Sequence, residues 1–317
     1  TNSNLTISSN AFQETEFKDE VNFSGITAVS SETFRKAIFK EKADFSNITT
    51  FNEYSFNMTN STDLNENKVI FEKDVELHDV SEIKDYAFAH AKFQGNNNLT
   101  NVSNIRDYAF TSTIFTGTFT LLNTVIIEEK AFLNAKFSFN DSNQIQNNNI
   151  IISDIETIDP YAFHNVEFGG SVDMRNINFM KDNSFQTTKF HKSVDMSGST
   201  TIGSEIGVFM NSLFLDTVNL SNIDTINKKA FEYVKFAIDT STDPDTILNK
   251  DINMSHIIDI KESAFHDAEF GGAVDMSNII TIYGSKVDNN TNTLLFEEDH
   301  NFTVNTKILY KQKTNSI

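Results

Sequence analysis

Apolar positions in this chain fall on a long repeating beat rather than into isolated helical or strand-like stretches. A phenylalanine preceded by a small residue recurs at Phe12, Phe34, Phe56, Phe88, Phe110, Phe132, Phe163, Phe185, Phe209, Phe231 and Phe265. Six of the ten intervals are 22 residues, one is 24, and three are 31 to 34. A second Phe follows five residues later in nearly every copy, as in Phe17, Phe39, Phe93, Phe115 and Phe190. Four residues further on comes an apolar–polar–apolar triplet such as Ala43-Asp44-Phe45 or Val172-Asp173-Met174, the period-two signature of a strand with one buried face. Two more aliphatics complete each copy, for example Ile48 after a triplet and Ile83 before a Phe. A fixed period of 20 to 30 residues marks a solenoid, because a unit this small buries its apolar face only by stacking on its neighbours. The pattern predicts a mostly β repeat solenoid of about 11–12 coils. It further predicts one strand per coil at the triplet, with short turns or helical fragments at the Ala-Phe segments.

The three long intervals read as the same unit with a loop inserted, at 57–70, 138–149 and 237–250, all rich in Asn, Ser, Thr and Asp. Insertions in a solenoid emerge as protruding loops and supply contact surface. The solenoid is expected over residues 1–287, and 288–317 as a C-terminal cap or degraded last coil. Ile7 stands five residues before Phe12, so the chain opens partway through a coil; the expectation is that it starts inside a longer array or after a leader segment. Eleven or twelve coils stacked at about 4.8 Å make a rod roughly 50–60 Å long.

If the triplets stack in register, their middle residues form one outward column: Asn22, Asp44, Glu76, Asn98, Thr120, Ile151, Asp173, Asp195, Asn219, Asn253 and Asp275. Stacked Asn can hydrogen-bond from coil to coil, whereas adjacent Asp173 and Asp195 would repel. The column is either a solvated sheet face or an acidic strip for a basic partner or a cation. Its carboxylates Asp44, Glu76, Asp173, Asp195 and Asp275 are candidate partner-binding residues, together with Asp63, Asn65, Asn143, Asp243 and Asp245 in the loops. The small polar pairs after the triplets, such as Ser46-Asn47 and Ser197-Gly198, suit left-handed backbone where each coil turns.

Composition narrows the function classes. Lys and Arg number 25 against 44 Asp and Glu, a net charge of −19. So acidic a body disfavours nucleic acid and anionic membrane surfaces as partners. Cysteine is absent, which removes disulfides and thiol chemistry, and the core must rest on packing, chiefly of 30 Phe. No apolar run approaches the ~20 residues of a membrane span. His90, His164 and His266 sit just after the Ala-Phe dipeptides and are expected to be exposed turn residues without metal-ligand spacing. Residues 288–299 brush against a calcium-loop pattern but carry Thr293 where that loop needs Gly. No phosphate-cradling loop, nucleophile elbow or paired-His zinc motif is present. No metal, cofactor or catalytic residue is therefore assigned. The abundance of Asn, Ile and Lys looks like translation of an AT-rich bacterial genome.

Segments such as Ile83-Lys-Asp-Tyr-Ala-Phe88, Ile158-Asp-Pro-Tyr-Ala-Phe163 and Ile260-Lys-Glu-Ser-Ala-Phe265 resemble the BspA-like class of bacterial leucine-rich repeats. That signature is an Ile, three residues, then Ala-Phe and a small residue, held here by Ala91, Ala135, Val166 and Ala268 where the family often has Cys. Two departures concern coil shape: the next apolar position comes one residue early and is Phe rather than Leu, and the strand lacks the family's frequent Pro. The resemblance implies a non-catalytic protein displayed on the cell surface, anchored by another segment, that adheres to host or neighbouring-cell macromolecules through protein–protein contacts. A self-assembling structural role is the alternative, and an enzyme would need convergent polar groups in a pocket. Phrases such as Ala43-Asp-Phe-Ser-Asn47 also echo pentapeptide repeats, although 22 is not a multiple of five.

Overall fold

The computed structural model describes residues 5–57 and 68–283, and the backbone of Ser285–Asp288, Thr293–Phe296 and Ile308–Leu309. Each coil contributes three strands, mostly of two residues, not one. In the second coil these are Ala28–Val29, Ile38–Phe39 and Ala43–Asp44. Stacking them makes three parallel sheets of 12, 11 and 12 strands among the described residues, here called the first, second and third sheet in chain order. The triplet strand expected from sequence is the third sheet. The aliphatic before each Phe and the Phe five residues after it each build another, because an in-register backbone ladder needs only two residues per coil. The cross-section is three-sided, which sets it apart from square pentapeptide coils.

No helix occurs among the described residues, so the helical fragments expected at the Ala-Phe segments are absent. Those segments are turns whose residues two before and two after the Phe are left-handed: Tyr86 (φ 56°) and His90 (φ 62°) flank Phe88, and Tyr108 and Ser112 flank Phe110. Left-handed residues cannot continue an α-helix. The turn amides bond to the next coil instead, as Phe110 N–H to the Ala131 carbonyl at 2.7 Å. A third left-handed corner follows each triplet, at Asn47, Asp79, Asn101 and Gly198 among others, as the small polar pairs require. Side chains here also bond along the stack: Asn101 Nδ2 donates to Asp79 Oδ1 at 2.8 Å, and Asn123 Nδ2 to Asn101 Oδ1 at 3.1 Å.

Inside, the two Phe of each copy form two continuous ladders. Phe88, Phe110, Phe132 and Phe163 stack with ring centroids 4.9–5.1 Å apart and planes within 3°. Phe168, Phe190, Phe214 and Phe236 form part of the second ladder at 4.5–5.1 Å. Nearly all are fully buried. Burial of one such side chain stabilises by about 1.5–3 kcal/mol, and an aromatic pair adds about 0.5–1.5 kcal/mol. Every ring therefore ties its coil to both neighbours.

Two insertions are described. Residues 138–149 close through a bridge between Phe139 and Ile145, and 237–250 form a small antiparallel hairpin of Ile238–Asp239 with Thr246–Ile247. Both leave the coil between its second- and third-sheet strands. The coil that follows each carries a Gly-Gly pair where other coils mostly have charged or polar residues. A Cβ on Gly170 would lie 1.7 Å from the Asn148 carbonyl oxygen, and one on Gly272 would lie 1.8 Å from that of Lys250. These glycines make room for the loop stalks. At the far end Ile308–Leu309 joins the third sheet beside Val274–Asp275, and Ser285–Asp288 pairs with Thr293–Phe296.

Candidate interaction surface

All eleven middle residues of the triplets stand in one register column on the third sheet, from Asn22 beside Asp44 to Asn253 beside Asp275. Most of them are Asn or Asp for a local reason. Their side-chain oxygen accepts the backbone N–H two residues on: Asp44 from Ser46 at 2.9 Å, Asp195 from Ser197 at 3.0 Å, Asn219 from Ser221 at 3.2 Å and Asp275 from Ser277 at 2.9 Å. This Asx turn swings the chain off the strand toward the left-handed corner. The column is therefore partly architecture. Some members also bond between coils, Asn98 Nδ2 to Glu76 Oε2 at 2.9 Å and Asn219 Nδ2 to Asp195 Oδ1 at 3.0 Å. The expected clash of Asp173 with Asp195 is answered by Arg175, whose Nε and Nη2 donate to the two oxygens of Asp173 at 2.8 and 2.7 Å. That guanidinium holds the Asp173 carboxyl below its usual value.

Over the later coils this face is concave. A groove of about 790 Å³ runs across the strands from Ile151 to Asp275. Its lining holds the column residues and the small polar residues just before each triplet, Ser171, Ser193 and Thr217. Asn149 and Asp251, at the ends of the two inserted loops, also line it. Four carboxylates (Asp173, Asp195, Asp251, Asp275) and a single guanidinium (Arg175) carry its charge. The groove joins Asp173, Asp195 and Asp275 of the sequence candidates and leaves Asp44 and Glu76 outside, on earlier coils. Arg175 and the serine row went unassigned from sequence, although the identical Ser171-Val-Asp-Met and Ser193-Val-Asp-Met were visible.

The loops lie over the second sheet, not over the groove. In the loop at 138–149, Asp141 pairs with Lys92, the Asn143 carboxamide oxygen accepts from Lys136 Nζ at 2.7 Å, and the Asn148 amide donates to the Thr116 carbonyl at 2.8 Å. Phe139 sets its ring edge-on to His191, centroids 5.7 Å apart. In the loop at 237–250, Asp245 pairs with Lys235 at 2.5 Å. Asn143 and Asp245 thus anchor their loops to the body, while Asp243 stays exposed near the hairpin tip. Asp63, Asn65 and the calcium-like pattern after Asp288 lie outside the described side chains, and the described residues hold no cluster of three metal-ligating groups. His90, His164 and His266 are half-buried rather than exposed. Burial pushes the imidazoles of His90 and His164 below their usual value, because each is roofed by the turns stacked on either side.

The BspA-type leucine-rich repeat model matches at residues 1–112, 64–143 and 135–238, in six copies. The chain belongs to the BspA-type leucine-rich repeat family. Repeats of this type generally serve protein–protein binding rather than catalysis, and proteins that carry them are typically surface-associated. No curated protein and no solved structure matches the chain. No helix among the described residues is long and apolar enough to cross a membrane. In this BspA-type protein the third sheet with its groove is the broad open face. A second surface feature, absent from the sequence expectations, is a row of stacked tyrosines, Tyr54, Tyr86 and Tyr108, with centroids 5.0–5.1 Å apart. Both faces of Tyr86 are spent on its neighbours, and Lys130 Nζ lies over Tyr108 at 5.6 Å, which marks the row as part of the stack.

Proposed function

We propose that this chain is the recognition segment of a non-catalytic bacterial cell-surface protein, adhering to a host or neighbouring-cell protein through the groove on its third sheet. The observation that carries this reading is the position of the groove. It is the concave part of a sheet left open over six successive coils, while the two described loops are drawn aside onto the second sheet. The family's general use in protein–protein binding and its typical surface association support it. The loop residues Asp63, Asn65, Asn143, Asp243 and Asp245 form a secondary contact set in this proposal, and Asp44 and Glu76 extend the face toward the early coils.

The test is binding to a panel of immobilised matrix and serum proteins by three forms of the chain: unchanged, Thr217→Trp, and trimmed of the inserted loops. Thr217 is exposed on the groove floor, so the indole fills the groove without entering the core. Thr217→Trp is expected to weaken capture at least tenfold and the trimmed form only a few-fold. Full binding by Thr217→Trp would remove the groove from the proposal, and full binding by the trimmed form would remove the loops.

A further inference from the structure

Resting on the groove as the contact surface, we infer that its occupant is an extended, basic polypeptide segment laid across the coils, with two cationic side chains seated on Asp195 and Asp275. The groove carries four carboxylates against one guanidinium. That guanidinium, Arg175, is committed to Asp173 by two hydrogen bonds, so the negative charge left over lies toward Asp195 and beyond. Lys250, beside Asp251 of the groove, turns away to pair with Asp216 at 3.4 Å. A groove of one sign, bordered by low-dielectric walls, selects a partner of the opposite sign and speeds its arrival.

The two carboxylates are also pre-aimed. Asp195 Oδ1 accepts both the Ser197 N–H and the Asn219 side-chain amide, and Asp275 Oδ1 accepts the Ser277 N–H. One oxygen of each is thus pinned, which restrains the carboxylate within the groove lining and reduces the entropy lost on pairing. Their separation selects the form of the occupant. Asp195 and Asp275 lie three coils apart, through Asn219 and Asn253. At ~4.8 Å per coil that is about 14 Å, close to four residues of extended chain at ~3.4 Å each. A segment with Lys or Arg at positions i and i+4 in extended form therefore meets both. At the other end Ile151 replaces the polar residue of the column, beside Asp173, and offers an apolar seat for a residue preceding the first cation.

A library of random dodecapeptides displayed on phage, selected on the intact chain, tests this. Peptides recovered are expected to carry two basic residues four apart. Their affinity should fall at least tenfold for the double variant Asp195→Asn/Asp275→Asn, and fall as salt rises. That variant is safe for folding, since Asn219 and Asn253 already occupy the same column with the same Asx turn. Recovered peptides without paired basic residues, equal binding by the double variant, or a selection that yields no peptide would each overturn the inference. Thr217→Trp separates the two levels of the argument. If it abolishes protein capture while the double Asn variant binds normally, the groove stands and the basic occupant falls. If it leaves capture intact, the groove reading itself falls.

Discussion

The second and third sheets are built from strands of similar length, in the same register, on the same coils, yet one is covered and the other open. On the second sheet the inward residue of each described strand is a Phe without exception, from Phe17 to Phe270. Its outward column mixes aliphatic and charged residues, and Lys92, Lys136 and Lys235 hold the two described loops in place. On the third sheet the first inward residue varies freely: Ala43, Val75, Asn97, Phe119 and Ile150 take the same place. Its outward column is instead mostly Asn or Asp, held so by the Asx turn, with Glu76, Thr120 and Ile151 as the exceptions. The backbone ladder is indifferent to these choices; side chains decide which wall is the structural spine and which is free to meet a partner.

The sharpest way to break that contrast is to remove one inward side chain from each wall of the same coil. Phe190 stacks between Phe168 and Phe214 at 5.0 and 4.5 Å and is fully buried. Phe190→Ala is expected to cost about 3–5 kcal/mol. Val194, four residues on and equally buried, loses only two methyl groups on mutation to Ala, about 1.5 kcal/mol. Denaturant unfolding of both variants measures the difference. Equal losses would mean that the aromatic ladder has no special part in holding the coils together.

A smaller effect is expected where a loop meets the spine. Gly272→Ala places a methyl group 1.8 Å from the Lys250 carbonyl oxygen, and a backbone group cannot step aside as a flexible side chain would. The stalk must shift, at about 1–3 kcal/mol. The 237–250 hairpin should then become the first site cut in limited proteolysis, with Gly25→Ala, strained by its left-handed backbone (φ +76°) but meeting no neighbour and far from the hairpin, as a control that leaves the hairpin uncut. An unchanged cleavage pattern would show that the glycine pairs are not what seats the loops.

Much of this was legible in the chain. The beat of Phe12, Phe34 and Phe56 specifies stacking, and the triplets specify the outward column residue for residue. Three strands per coil were hidden because a two-residue strand is too short to show alternation; only its recurrence at fixed offsets betrays it. The helical fragments failed for a reason also present in the sequence, since Asn10, Asn134 and Asn183 occupy the left-handed positions around Ala-Phe, but Tyr86 and Lys36 occupy them too and mask the signal. The triplet face was legible as an outward column, but that it stays open while the second sheet is covered was not. It depends on Asp141 reaching back to Lys92, two second-sheet strands away, and on Arg175 choosing Asp173. The glycine pairs at 169–170 and 271–272, each in the coil after an insertion, were the available clue.

The covered sheet also holds a difference from the open face that pH near neutrality should expose. His191 follows Phe190 on the second sheet, with the ring of Phe139 edge-on to it, and Glu167 3.6 Å away. Burial and the neighbouring Lys189 keep its imidazole below the usual value of 6.5, against the opposing pull of Glu167. Lys192 adds to the downward shift, and Asp239 feels the imidazole in turn. As pH falls through 6.5 the unfolded chain takes up the proton before the folded one does. The stability contributed by a neutral His191 is therefore complete above that pH and declines below it, until the folded imidazole also protonates. His90 and His164, shifted the same way, add to the decline. Thermal unfolding between pH 7.5 and 5 should show a falling melting temperature for the intact chain, and a shallower fall for His191→Gln. Phe139→Ala should act like it, because uncovering the imidazole returns it toward water. A slope unchanged by both substitutions would mean that the loop does not bury the histidine in solution, and the covered sheet would then be as open as its neighbour.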